Sequence, residues 1–183
     1  MSSPSASARL LHAVRFAAEQ HRGDRRKGSD AAPYINHPII VAEQLAASGM
    51  ADDVELLMAA VLHDVVEDTG VSGERLEQLF GPRVAAAVLE VSDDKSLEKG
   101  ERKRLAVETI GSKSLAARLI KLSDLIANVH DVIHHPPPWS RARKLEYLAW
   151  AERCAQAMHG THAQLEQRLL EIIGEGRASV GGD

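Results

Sequence analysis

Residues 61–68 read Val-Leu-His-Asp-Val-Val-Glu-Asp. Four ionisable side chains, His63, Asp64, Glu67 and Asp68, crowd into six positions of an otherwise apolar stretch. Such groups are expensive to bury unless something compensates them. A metal ion compensates imidazole and carboxylates together, so the cluster points to metal-dependent hydrolysis. His63 and Glu67 are four apart, as are Asp64 and Asp68, which on a helix places the two pairs on neighbouring edges of one turn. The adjacent His63 and Asp64 can share an ion only at the helix edge, so further ligands must arrive from elsewhere.

Two residues can supply them. His37 sits in Pro33-Tyr34-Ile35-Asn36-His37-Pro38, a turn rigid enough to hold an imidazole in place. Asp124 lies off the apolar stripe of the strongest helical pattern, in a polar stripe with Lys121, Asn128 and Asp131. His37, His63, Asp64 and Asp124 offer two nitrogens and two carboxylate oxygens. That donor mixture suits Mn, Zn or Fe, with Mn(II) preferred, and leaves room for water and a substrate oxygen. Glu67 and Asp68 remain for proton transfer or water positioning. Singly, these residues have structural explanations: His37 can cap a turn, Asp124 can pair with Lys121 on a solvated face, and Asn128 can be merely exposed. His134 and His135 precede Pro136-Pro137-Pro138 and fit a surface turn better than a metal site. The ordered His-Asp-x-x-Glu-Asp cluster is what favours function.

The positioning elements are helices. The spacing predicts helices over 8–21, from Pro38 to Gly49, and over 53–67 after a capping-box pattern of Asp52 and Glu55. Ser72 can cap a short helix ending near Gly81, Pro82 can open one reaching about Val91, and Ser96 can cap 97–109. In 114–134, Leu115, Leu119, Leu122, Ile126, Val129 and Ile133 recur at steps of three and four. Ser140 can cap a helix to about His159, and Thr161 the last one. Strand alternation is missing, and Ala and Leu dominate over only six aromatic residues. The expectation is one compact all-α bundle over 8–173, between a flexible N-terminus (1–7) and a frayed tail (174–183).

The formal net charge of −4 gives no global basic field for nucleic acid or an acidic membrane. No apolar run is long enough to span a bilayer, and the start lacks the pattern of a signal peptide. The single Cys154 fits a reducing cytoplasm. Local positive clusters occur at Arg22–Lys27, Lys99–Arg104 and Arg141–Lys144. They suit a polyanionic small molecule, and Arg can also stack on a purine.

In combination these motifs resemble the HD-domain metal-dependent phosphohydrolases. More closely, they resemble the hydrolase domain of the RelA/SpoT alarmone enzymes and the stand-alone small alarmone hydrolases, including the metazoan SpoT homologue. The matching stretches are His21-Arg22-Gly23, Arg25-Arg26-Lys27, Pro33 to Pro38, Leu62 to Thr69, Phe80-Gly81, Asp93-Asp94-Lys95, and Ile120 to Asp124 with Asn128. Trp139, Glu146, Tyr147 and Trp150 fit the small hydrolases too. The resemblance implies an HD-type helical fold and a Mn(II) site of His37, His63, Asp64 and Asp124. It implies Glu67 and Asp68 in the catalytic positions, and removal of the 3′-pyrophosphate of ppGpp or pppGpp to give GDP or GTP. Arg26, Lys27 and Asn128 are then substrate contacts around the nucleoside, with Lys95, Arg143 and Tyr147 near phosphates or ribose.

Two departures stand out. Leu125 replaces the family's common Lys or Arg, and Ala127 stands where many relatives carry Tyr. Both bear on the nucleoside pocket and on guanine over adenine. The competing expectations are a ppApp-type alarmone hydrolase or an NADPH phosphatase, and a nucleotide-sensing HD protein without turnover. Oligomeric state is not legible.

Overall fold

A computed structural model describes residues 4–28 and 30–181. Among the described residues ten α-helices make up the bundle: α1 (Ala6–Gln20), α2 (Asn36–Leu45), α3 (Val54–Leu62), α4 (Val65–Thr69), α5 (Gly73–Phe80), α6 (Pro82–Val91), α7 (Lys99–Thr109), α8 (Leu115–His134), α9 (Arg141–Ala157) and α10 (Ala163–Gly181). Among the described residues there is no strand, only an isolated antiparallel bridge between Arg25 and Pro33. The all-α reading holds. No helix among them is long and apolar enough to cross a membrane.

Two helices form the centre. Every residue of α3 from Leu56 to Leu62 is buried, as expected of a helix apolar on all sides. It packs against α1, α2 and α6. The longest helix, α8, lies against α10, α2, α6 and α9. Its stripe of Leu119, Leu122, Ile126 and Val129 is buried, whereas Leu115, in the first turn, is 55% exposed.

Several local expectations need correction. The helix expected over 53–67 is broken. Regular α3 stops at Leu62, Asp64 adopts φ −96° and ψ −6°, and α4 starts at Val65. The cap of α3 is Asp53, whose carboxylate accepts from Leu56 N at 3.0 Å, not Asp52. Ser96 does not cap α7: its N–H and hydroxyl both go to Asp94, and α7 begins after Glu98. Capping by Ser72 and Ser140 is as the sequence suggests, and Ser114 caps α8 in the same way. Gly174 lies inside α10, which continues because Gly176 lets it press on Ile133 and Leu148, where a Cβ would meet methyl carbons at 3.1–3.2 Å. Residues 1–3 and 182–183, parts of the expected flexible ends, fall outside the described residues.

The start of α10 is held by Glu166 rather than Thr161. Its carboxylate accepts from His162 N at 2.8 Å, Gly160 N at 3.1 Å and His159 Nδ1 at 3.1 Å. Partial burial works to raise the pKa of this carboxyl, but these donors outweigh it and hold it below 4.5. Its stabilisation is therefore fully present above pH 4.5 and lost as the pH falls through the lowered folded value. Glu166→Gln is expected to cost about 1 kcal/mol near neutrality, the typical worth of a helix cap. In denaturant titrations at a series of pH values, that difference should shrink below pH 4.5 and not above it.

Candidate metal centre and adjoining cavities

The break between α3 and α4 lets the adjacent His63 and Asp64 face the same point. The His63 Nδ1–H donates to the Ala60 carbonyl at 2.7 Å. Its Nε2 is buried without a hydrogen-bond partner and points at Asp64 Oδ2, 3.1 Å away, and Asp124 Oδ1, 3.8 Å away. His37, from the first turn of α2, places its Nε2 at 3.1 Å from Asp124 Oδ1 and 3.9 Å from Asp64 Oδ2. One ligand atom each from His37, His63 and Asp124 lies within 4.8 Å of the others. A second-row hydrogen bond that fixes one imidazole nitrogen and frees the other is the usual arrangement of a metal-ligating histidine. The donor set and the orphaned Nε2 therefore fit a divalent ion.

The charges of the cluster depend on one another. Burial holds the His37 pKa down, keeping the imidazole neutral, although its bond to Asp124 acts against this. Burial also works to lower that of His63, but Asp64 and Asp124 overcome it and push it up to about 10. Both carboxyls stay ionised against the cost of burial, Asp64 chiefly through His63 and Asp124 chiefly through Lys121.

The polar stripe of α8 is not a solvated face. Lys121 Nζ donates to Asp124 Oδ2 at 2.9 Å, and Asn128 donates its amide to Asp124 Oδ1. Arg26 reaches across from the 21–35 loop, donating to Asn128 Oδ1 at 2.6 Å and, from Nε and Nη2, to Asp131 Oδ2 at 3.0 and 2.8 Å. The loop is folded on itself by Arg26 N to Ala32 O and Tyr34 N to Asp24 O bonds, with the buried His21 ring 4.7 Å from that of Tyr34. Sequence reasoning gave Tyr34 and Asp131 no role. The only signal for Tyr34 was its place in the rigid Pro-Tyr-Ile-Asn-His-Pro turn, and for Asp131 its helical spacing from Asp124.

A cavity of about 590 Å³ opens over this cluster, and Lys27, Glu67, Asp68, Lys95, Asn128 and Tyr147 line it with the groups above. Glu67 accepts from Asp93 N at 3.1 Å and lies 3.8 Å from Arg102 Nη1, a member of the Lys99–Arg104 positive cluster. Burial raises the Glu67 pKa, and Asp93 and Asp64 add to it, while the Asp93 N–H pulls the other way. Lys95 pairs with Asp68 and lies 3.9 Å from Glu67. Arg143 does not line the cavity. It stacks 4.4 Å over the ring of Trp139, which does. Ala127 borders a neighbouring cavity of about 800 Å³ between α2, α8 and α10, not the metal cavity, and Leu125 is buried in the core.

The site and bundle define a class. A profile of the HD domain matches residues 13–152, and the chain belongs to the HD-domain family. It is 46% identical over 168 residues to the guanosine-3′,5′-bis(diphosphate) 3′-pyrophosphohydrolase MESH1 of Drosophila melanogaster, covering 91% of this chain and 94% of that protein. The human protein of the same name is 45% identical over 170 residues, covering 92% and 95%. A solved structure of a metazoan orthologue of SpoT, described as hydrolysing ppGpp, superposes with a TM-score of 0.89 at 44% identity, over 96% of this chain and 98% of that one.

Tyr34 donates its hydroxyl to Asp64 Oδ2 at 2.6 Å. Tyr34→Phe keeps the ring packing and removes only that bond. It is expected to leave folding intact and to weaken metal retention about 10–100-fold, as losses of outer hydrogen bonds do. Competition with a chromogenic chelator measures this, and unchanged affinity would detach Tyr34 from the metal site.

Proposed function

We propose that this chain hydrolyses guanosine alarmones, converting ppGpp or pppGpp and water to GDP or GTP and pyrophosphate by cleavage at the 3′-oxygen. The meeting of buried His37, His63 and Asp124, with half-buried Asp64 beside them, beneath a cavity that Glu67 and Asp68 also line carries the reading. Relatives with that named activity, 45–46% identical over 94–95% of their length, support it. Residues 8–173 constitute the hydrolase domain, and a cytoplasmic setting suits the buried free thiol of Cys154.

In this reading His37, His63, Asp64 and Asp124 hold the ion, Mn(II) by preference, with Zn(II) or Fe(II) compatible with the donors. When bound, it supplies an activated water and polarises the phosphoryl group under attack. The protein's own groups do the rest. Glu67, whose carboxyl holds its proton more readily than an exposed one, is suited to take a proton from the attacking water and return one to the leaving 3′-oxygen. Asp68, paired with Lys95, positions the water. Lys121 offsets the charge of Asp124. Arg26, with its guanidinium 5.5 Å from the Tyr34 ring centre, presents a planar cation to a purine. Lys27 and Asn128 flank the nucleoside. Lys95, Arg143 and Tyr147 serve the phosphates and ribose, Arg143 from above Trp139.

The test is to incubate Mn-loaded protein with ppGpp, pppGpp, ppApp and NADPH and resolve the products by mass. GDP or GTP with intact pyrophosphate is expected. Orthophosphate released stepwise, GMP as the main nucleotide, or turnover confined to ppApp or NADPH contradicts the proposal. Ligand without any turnover makes the chain a sensor. Two variants separate the roles. His63→Ala should lose both ion and activity, and Glu67→Gln should keep the ion and lose about 10²–10⁴-fold in turnover. Full activity in Glu67→Gln removes it from the mechanism.

A further inference from the structure

Arg102, on α7, turns an unsatisfied guanidinium into the metal cavity, which it lines together with Glu67 and Lys95. Its side chain is only 24% exposed. Among the described residues the guanidinium makes no hydrogen bond, and its Nε is buried. The carboxylate oxygens beside it, Glu67 Oε1 and Asp93 Oδ2, stay 3.8 and 4.0 Å from Nη1. An arginine that pairs with a carboxylate closes to about 2.7–2.9 Å, often through two parallel bonds. Arg104, on the outer side of the same helix, does this with Glu101 and Glu108, its Nε 2.9 Å from the former. The positions one turn from Arg102 within α7 are Lys99, Leu105 and Ala106, whose side chains offer no acceptor. The other cation beside Glu67, Lys95, is already engaged by Asp68.

We propose that Arg102 binds the non-bridging oxygens of the substrate's 3′-pyrophosphate, the half that leaves, and stabilises the charge gathering there during cleavage, a role that rests on the alarmone hydrolase reading above. In that reaction a bond forms from the water oxygen to phosphorus, and the bond from that phosphorus to the 3′-oxygen breaks. Glu67 takes the water's proton and returns one to the 3′-oxygen. Arg102 exchanges no proton, because a guanidinium keeps its own. Glu67 must reach both the water and the 3′-oxygen on the phosphorus under attack, so a cation beside Glu67 stands next to that phosphoryl group. The planar fork offers two N–H groups to two phosphoryl oxygens, which the ammonium of Lys95 cannot do. Donors already in place and not tied to a carboxylate need no rearrangement when the charge develops. A structural ion pair with Glu67 or Asp93 explains the residue less well. At 3.8–4.0 Å such a pair forms no hydrogen bond and leaves the buried Nε unsatisfied.

Binding is measured in the slow Glu67→Gln protein, loaded with Mn(II), by rapid filtration of labelled ppGpp and GDP with and without Arg102→Gln. GDP has the same base and 5′-diphosphate but no 3′-pyrophosphate. Arg102→Gln should weaken ppGpp about 10–100-fold, the size of a lost hydrogen bond to a charged group, and leave GDP unchanged. With Glu67 in place, Arg102→Gln should lower kcat for ppGpp about 10²–10³-fold, as removal of one transition-state donor does. An equal loss for both ligands overturns the proposal. So does unchanged ppGpp affinity, the result for an arginine that acts only through the Glu67 carboxylate. If Arg102→Gln also loses Mn(II), the decision passes to Arg102→Lys, which keeps the charge and loses the fork. It should still weaken ppGpp relative to GDP, and parental affinity there overturns the proposal. A parent that binds ppGpp but releases no pyrophosphate defeats the hydrolase reading alone, because the contrast between ppGpp and GDP still decides the role of Arg102.

Discussion

A carboxylate buried on the central helix sets the terms for this molecule. Asp124 is 7% exposed on α8, in a bundle whose interior is otherwise mostly Ala, Leu, Ile and Val. An unpaired charge there would cost several kcal/mol, and removing one partner of such a buried pair typically costs about 3–5 kcal/mol. The surroundings are arranged around that fact. Lys121 pairs with one oxygen, while His37 and the Asn128 amide meet the other. Each comes from a position that helical geometry or a rigid turn fixes, so the charge is compensated locally.

The same constraint explains why α3 cannot run on into α4. In one continuous helix, His63 and Asp64 would point about 100° apart. Both could not then face Asp124 and His37. The non-helical step at Asp64 brings them together, and the price is small because Asp64 remains in a populated backbone region. The Ala60 carbonyl, near the end of α3, then accepts from His63 Nδ1. A helix end that would otherwise leave carbonyls unsatisfied thus becomes the device that orients a ligand.

How much of this the sequence disclosed depended on the range of the interaction. The helices, their Ser caps at 72 and 140, and the inward stripe of α8 were readable because they follow from local spacing and side-chain chemistry. The meeting of His37, His63 and Asp124 could be anticipated from residue types. The break at 63–64 could not, because Val-Val on its far side is compatible with a continuing helix and only tertiary packing decides. Asp53 and Asp52 are equally good cap residues by type, so sequence could not choose between them. The polar stripe at Lys121, Asp124, Asn128 and Asp131 was visible as a stripe, but its burial depends on Arg26, about a hundred residues away. Likewise Glu166 took over from Thr161 at α10 because a carboxylate four residues into the helix can collect several loop N–H groups at once.

Arg26 is where the two halves of the site meet. It borders both cavities, and its donors are divided between Asn128 and Asp131. A purine entering from the metal side would find the guanidinium already held by Asn128 and Asp131, so little rotamer entropy remains to be lost on stacking. Ala127 lies on the other side, in the larger cavity, and a tyrosine there would fill space that this chain leaves open. Any influence of position 127 on the choice of base would then pass through the wall that Arg26 and Asp131 form, rather than through direct contact in the metal cavity. Discrimination through such a wall depends on how firmly Asp131 holds Arg26, and charge-assisted bonds of this kind are roughly twice as strong as neutral ones.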